Sequence, residues 1–148
     1  MKRLHAVLAL PAALAAAATS PPALAIAPSL TACEAAPFVP AGEAPDLAGQ
    51  WDFLIQAGPT ASPGVLALGH MDGAYAGSLT PYRTNTVAVR RLTLEGGAVR
   101  MSVASREGEV VFEGRLTGRP DTMCGTVLYH GGQKFQMVAV RRSTSYAP

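Results

Sequence analysis

The feature that most constrains the fold of this chain is an alternation of apolar and polar residues that begins near residue 50. It recurs in short runs, at residues 50–57, 64–70, 73–79, 85–95, 98–105, 109–118, 122–130 and 134–142. Successive side chains of a β-strand point to opposite faces, so a period of two indicates half-buried strands. Turn sequences such as Asp72-Gly73 and Gly131-Gly132 separate the runs, and these favour hairpins. The sequence therefore predicts an all-β domain of about eight antiparallel strands.

The short connections also restrict the topology. Parallel strands need long crossovers, and no run after residue 47 has the period of a helix. A meander with one apolar face exposes two edges unless it closes, and closure removes the edges. We therefore predict an up-and-down barrel, with a two-sheet β-sandwich as the alternative. Arg90-Arg91 interrupts the alternation in the fourth run, which predicts a β-bulge or a bend.

The N-terminal residues have the pattern of a secretory signal peptide. Lys2 and Arg3 precede an apolar run at 6–18, and two A-x-A sequences follow at 23–25 and 25–27. The run is shorter than the roughly 20 residues of a membrane span. The predicted organisation is a signal peptide at 1–27, a Pro/Ala-rich arm or linker at 28–46, a barrel domain at 47–143 and a tail at 144–148. The predicted location is periplasmic or secreted.

The chain has two cysteines, Cys33 in the arm and Cys124 in the barrel domain. An even count in an exported chain favours a disulfide. Leu30-Thr31-Ala32-Cys33 also has the residue types of a lipobox, at which a cysteine is acylated and anchored to the membrane, but it lies far from the apolar run. Two free thiols are the third alternative, and the sequence leaves all three open.

The charge of the chain argues against polyanionic partners. Twelve basic and ten acidic residues give the full sequence a net charge of +2. Lys2 and Arg3 belong to the predicted signal peptide, so the mature chain is neutral. Arg90-Arg91 and Arg141-Arg142 are its only paired basic residues. Nucleic-acid binding therefore has no electrostatic basis.

No arrangement of residues in the sequence predicts catalysis, a metal or a cofactor. The chain lacks the G-x-S-x-G, H-E-x-x-H, Walker and G-x-G-x-x-G motifs in their structural contexts. His70 and Asp72 flank a predicted hairpin tip, and a metal site would need His130 from another hairpin end. Cys124 and His130 are about 20 Å apart along one extended strand, which excludes a thiol–imidazole pair. We expect no catalytic residues, no metal and no cofactor.

The sequence resembles known barrels in two respects. The first run opens with Gly49-Gln50-Trp51, and the last reaches Arg141. This resembles lipocalins and their calycin relatives, in which a G-x-W tryptophan packs against an arginine from the end of the barrel. The resemblance implies that Trp51 and Arg141 close one end of the barrel, an aromatic plate beneath a delocalised cation.

The second likeness covers nearly the whole domain. The runs GQWDF, VLALGHMDGAYAGSL, VRMSVASREGEVVFEGRLTG and DTMCGTVLYHGG are similar to small lipocalin-like barrels appended to bacterial secreted hydrolases. The matching positions are Tyr75 and Gly77, then Val110, Phe112, Gly114 and Leu116, then Met123, Gly125, Thr126 and Val127. Cys124 departs from that pattern, and no hydrolase domain is attached. Such positions specify a fold more than an activity.

The large inward side chains allow two interpretations, a filled core or the lining of a pocket for one small apolar ligand. The candidates are Trp51, Phe53, Tyr75, Met101, Phe112, Tyr129 and Phe135. A domain this small favours filling. Gly77, Gly114 and Gly125 on strands indicate either tight bends or space for a ligand.

The predicted function is that of an exported, non-enzymatic barrel that binds a small apolar ligand or serves as a packed accessory module. The alternative is an interaction or inhibitor-like protein that engages a periplasmic macromolecule through its loops or arm. It is similar to small periplasmic protease-inhibitor barrels with an N-terminal arm, although the cysteine placement differs. We expect the protein to be attached to a membrane only if Cys33 is lipidated.

Overall fold

The structure, a computed structural model, describes residues 28–30, 33, 45–117 and 122–143. The predicted signal peptide, most of the predicted arm and the predicted C-terminal tail lie outside these ranges. The strands are β1 (Gly49–Ala57), β2 (Thr60–Met71), β3 (Ala74–Pro81), β4 (Val87–Glu95), β5 (Ala98–Ser105), β6 (Gly108–Leu116), β7 (Thr122–Leu128) and β8 (Lys134–Arg141).

The strands form a closed barrel in which each pairs with its neighbours in chain order, and β8 pairs back onto β1. Every pairing is antiparallel, and Trp51 opposite Arg141 begins the closing register. The predicted up-and-down barrel is therefore confirmed, and the sandwich alternative is wrong. Among the described strands, each therefore has a paired neighbour on both sides, which is the physical advantage of closure.

Two predictions about the strands can be compared with the structure, and they have different outcomes. The register of β4 on β5 shifts between Val89 and Arg91, at the position where the sequence predicted a bulge or a bend. The second strand, by contrast, begins at Thr60, four residues before the run read from the sequence. Pro63 marks a break because it has no N–H, yet it pairs opposite Leu54 within a continuous ladder.

The barrel has two different ends. We call the end at which β1 and β8 bring Trp51 and Arg141 together the closed end, and the opposite end the open end. The loops at 58–59, 82–86, 106–107 and 129–133 surround the open end. The closed half holds the largest fully buried side chains, among them Trp51 and Phe53.

The outer face of β7 and β8 is also covered in part. Cys124, Val138 and Leu54 are cross-strand partners that lie side by side on this face. Val138 is 0% exposed and Val140 is 8% exposed, although neither belongs to the interior core cluster. Cys33 forms a disulfide with Cys124, with an S–S distance of 2.07 Å. The bond attaches the N-terminal segment to this side of the barrel.

Candidate functional site: a cavity at the open end

A cavity of about 500 Å³ occupies the open half of the barrel. This volume lies within the range typical of small-molecule sites. Its apolar lining comes from seven of the strands, namely Ile55, Ala57, Leu79, Pro81, Val87, Met101, Val103, Val110, Phe112, Val127 and Met137. The interior therefore differs from the expected solid packing, since it is filled at one end and hollow at the other.

The positions of the aromatic side chains explain this asymmetry. A Cβ added at Gly64 would lie 2.2 Å from the ring of Phe53. A Cβ at Gly114 or Gly125 would lie 2.4 or 2.8 Å from the ring of Phe112. The rings therefore fill the space that these glycines leave, and the glycines do not make room for a ligand. Nearer the open end, Val103 and Val110 hold inward positions with smaller side chains, and the space beside them belongs to the cavity.

Polar groups gather at the mouth of the cavity. Ser62, Thr84, Asn85, Ser105, Arg106, Glu107, Tyr129 and His130 complete the lining. Glu107 Oε2 lies 3.1 Å from His130 Nε2, so these two side chains partner each other. Arg106 occupies the same β5–β6 turn and is exposed. An apolar chamber with a polar rim can hold an apolar molecule and orient one polar group at its end.

The closed end is sealed by Trp51 and Arg141. The guanidinium carbon of Arg141 lies 4.5 Å from the centroid of the Trp51 ring. Arg141 Nη1 also donates to the Ala48 carbonyl at 2.6 Å, and its Nη2 donates to the Asp46 carbonyl. The indole Nε1 donates to the Leu47 carbonyl at 3.0 Å, and Leu47 is fully buried. The segment that precedes β1 thus plugs this end.

A polar cluster at the surface holds the plug. Asp46 Oδ1 accepts hydrogen bonds from the Ala48 N–H at 2.9 Å and from the Tyr75 hydroxyl at 3.1 Å. His70 Nε2 also lies 2.9 Å from Asp46 Oδ1. The Ala48 N–H, then the His70 side chain, and then the Tyr75 hydroxyl hold the pKa of Asp46 below its usual value. The Leu47 N–H donates to the Tyr75 oxygen at 3.1 Å.

The predicted ligand-lining or core candidates divide between the two halves. Met101, Phe112 and Tyr129 line the cavity. Trp51, Phe53 and Tyr75 lie toward the closed end, and Phe135 packs edge-on against Tyr129 at 5.3 Å. Tyr75 is the second residue of β3, at the closed end, and its hydroxyl contacts Asp46 and Leu47 of the plug instead of the cavity.

The two histidines that the structure describes lie at opposite ends of the barrel. His70 stands near the closed end in β2, whereas His130 stands in the β7–β8 loop at the open end. His70 contacts Asp46, which sequence reasoning did not connect with it. Within the ranges described, no three His, Cys, Asp or Glu side chains group closely enough to hold a metal ion. These ranges also contain no helix of the length and hydropathy that crosses a membrane.

Arg106, Glu107 and the loop at 82–86 were not among the site residues predicted from the sequence. They lie in turns, and turn residues carry no periodic signal of their own. The available signal was topological, because in a meander every second turn meets at the same end of the barrel. Residues 106–107 and 129–133 alternate in this way, which brings them to one mouth.

These observations define the class of protein: a closed, eight-stranded antiparallel meander barrel with one plugged end and one hollow end. The chain is similar in structure to a de novo designed fluorescence-activating β-barrel, with a TM-score of 0.45 and 17% identity over 64% of this chain and 93% of that one. No protein-family model and no curated protein matches the chain. The class therefore rests on the strand pairing itself.

Proposed function

We propose that this protein is an exported, lipocalin-like, non-enzymatic barrel that binds one small apolar molecule in the cavity at its open end. The observation that carries the proposal is the cavity of about 500 Å³ with a largely apolar lining. Burial of apolar ligand surface is favourable by about 25 cal/mol per Å². A chamber already formed by strands on every side loses little conformational entropy when a ligand enters.

Further support for export and for the lipocalin-like type comes from particular residues. The disulfide between Cys33 and Cys124 is compatible with an oxidising compartment outside the cytoplasm. It favours the disulfide over lipidation of Cys33, because a sulfur bonded to sulfur has no thiol to acylate. The contact between Trp51 and Arg141 supports the resemblance to the G-x-W barrels.

The inhibitor-like alternative receives less support from the same structure. An arm that enters a partner enzyme has to project from the barrel. Here Cys33 is bonded to Cys124, and the Asp46 carbonyl accepts a hydrogen bond from Arg141. Among the described residues of the arm, Cys33 and Asp46 are thus both held against the barrel, which gives this alternative less support.

Binding can be tested with N-phenyl-1-naphthylamine, an uncharged apolar dye whose fluorescence rises in apolar surroundings. We expect saturable binding of about one dye per chain to the oxidised protein. Val110→Phe places a ring in the cavity, since Val110 lines it, and should weaken binding at least about tenfold by occupying the volume that the dye needs.

The matched control is Val111→Phe. Val111 is the next residue of β6 and alternates to the outer face, where it pairs opposite Leu128. This variant should bind the dye as the wild type does, and both variants should keep a cooperative thermal transition. Equal loss of binding in both variants, or no saturable binding by the wild type, would contradict the proposal.

A further inference from the structure

The chemistry of the cavity mouth allows a sharper statement about the ligand, one that rests on the proposed function. Apart from Tyr129, three titratable side chains stand there, Arg106, Glu107 and His130. They come from two loops that meet at the open end, the β5–β6 turn and the β7–β8 loop. Their pairing decides which charge the mouth offers to a ligand.

Glu107 and His130 are already engaged with each other at 3.1 Å. Glu107 is the acidic residue among the described residues that line the cavity. Its side chain is 80% exposed, whereas that of His130 is 33% exposed. The carboxylate therefore reaches outward into solvent while the imidazole lies against the barrel, so the negative charge is both partnered and displaced from the chamber.

Arg106 has no such partner. No salt bridge joins it to an acidic residue within the part of the chain that the structure describes. Its guanidinium carries a permanent charge and several N–H donors in a planar arrangement, which matches the oxygens of a carboxylate, sulfonate or phosphate. Arg106 is exposed at the mouth of an apolar chamber, so its guanidinium can meet the anionic group of a ligand whose apolar body lies inside.

We propose that the ligand is an apolar molecule with a single anionic oxygen-bearing group, held with its apolar body in the chamber and its anion at Arg106. The other polar side chains at the mouth fit this orientation. Ser62 and Asn85 line the same rim and supply hydroxyl and amide donors. Arg106 selects among apolar ligands by their charge, whereas the strands select by size.

The test compares two dyes that share one ring system. 1-Anilinonaphthalene-8-sulfonate carries a sulfonate, and N-phenyl-1-naphthylamine is the same molecule without it. We expect Arg106→Gln to weaken binding of the sulfonate roughly three- to tenfold and to change binding of the neutral dye by less than about twofold. Arg106→Lys should restore most of the sulfonate affinity, because it keeps the charge at the mouth.

Arg90→Gln is the matched control. It removes the same charge from an exposed position in the β4 bulge, outside the cavity, and should leave the affinity for both dyes unchanged. If neither dye binds the wild type, the proposed function is wrong. If both dyes bind and Arg106→Gln weakens them equally or not at all, the proposed function stands and the assignment of an anionic ligand is overturned.

Discussion

At the scale of single residues, the closed end depends on one exposed carboxylate. Asp46 Oδ1 accepts hydrogen bonds from Ala48 and Tyr75 and lies against His70. These contacts join the segment before β1 to β2 and β3, and they orient Leu47 into the barrel. The sequence contains each residue, but nothing local in it links Asp46 with His70, which is 24 positions away.

The lowered pKa of Asp46 makes this contribution dependent on pH. The unfolded carboxyl titrates near about 3.9, and the folded carboxyl titrates below its usual value. The unfolded state therefore binds more protons between the two values, and stability rises with pH there. The contribution is complete above the unfolded pKa and is lost as pH falls through the folded pKa.

Asp46→Asn should therefore lower the melting temperature near neutral pH, and its curve should approach that of the wild type as the pH falls from about 5 to about 2. Thermal unfolding followed by circular dichroism across this range measures the difference. Tyr75→Phe removes one donor to the carboxylate and should show a smaller change in the same window. Curves that remain parallel at every pH would exclude the role assigned to the Asp46 charge.

At the scale of secondary-structure elements, close approach of neighbouring strands explains where glycine is required. A Cβ at Gly77 in β3 would lie 2.0 Å from the Ala67 carbonyl oxygen in β2. Backbone cannot move aside as a flexible side chain can. Gly69, in the same hairpin, has open space at this position, with nothing within 4 Å.

Gly77→Ala should lower the free energy of unfolding by roughly 2 kcal/mol or more, since the strands must separate to accept the methyl group. Gly69→Ala should be neutral or stabilising by up to about 1 kcal/mol, because alanine restricts the unfolded chain. Urea denaturation of the two variants measures both values. Equal free energies of unfolding would show that β2 and β3 do not approach each other as described.

At the scale of the whole molecule, the disulfide joins the N-terminal segment to the barrel across a sequence separation of 91 residues. A cross-link of this span stabilises by up to about 4 to 5 kcal/mol in the chain-entropy view, because it restricts the unfolded chain. It also lies beside Val138, which is an outward-facing apolar residue that is nevertheless fully buried.

The double variant Cys33→Ser, Cys124→Ser should therefore lose about 2 to 4 kcal/mol of unfolding free energy while the barrel stays closed, since its eight strands pair without the arm. Urea denaturation with and without reductant measures this loss. Reductant should destabilise the wild type by a similar amount and leave the double variant unchanged. A wild type that is insensitive to complete reduction would contradict the stabilising role.

The sequence by itself determined the barrel. Period-two alternation and hairpin-length turns are local signals, and the need to remove strand edges leads from them to closure. The irregularity at Arg90-Arg91 could also be predicted from the sequence, because a break in alternation is a local signal. The start of β2 at Thr60 could not be predicted in this way. Pro63 interrupts the local pattern, but the pairing with β1 continues through it.

Only the tertiary structure decided which half of the barrel is hollow. Alternation marks Phe53 and Val110 equally as inward, yet the Phe53 ring fills the space left by Gly64 on β2, whereas Val110 lines the cavity. The interior volume depends on side chains from all the strands together, so the sequence of one strand cannot predict it. The disulfide of Cys33 with Cys124, beside the buried Val138, likewise joins residues 91 positions apart, and no local pattern contains that pairing.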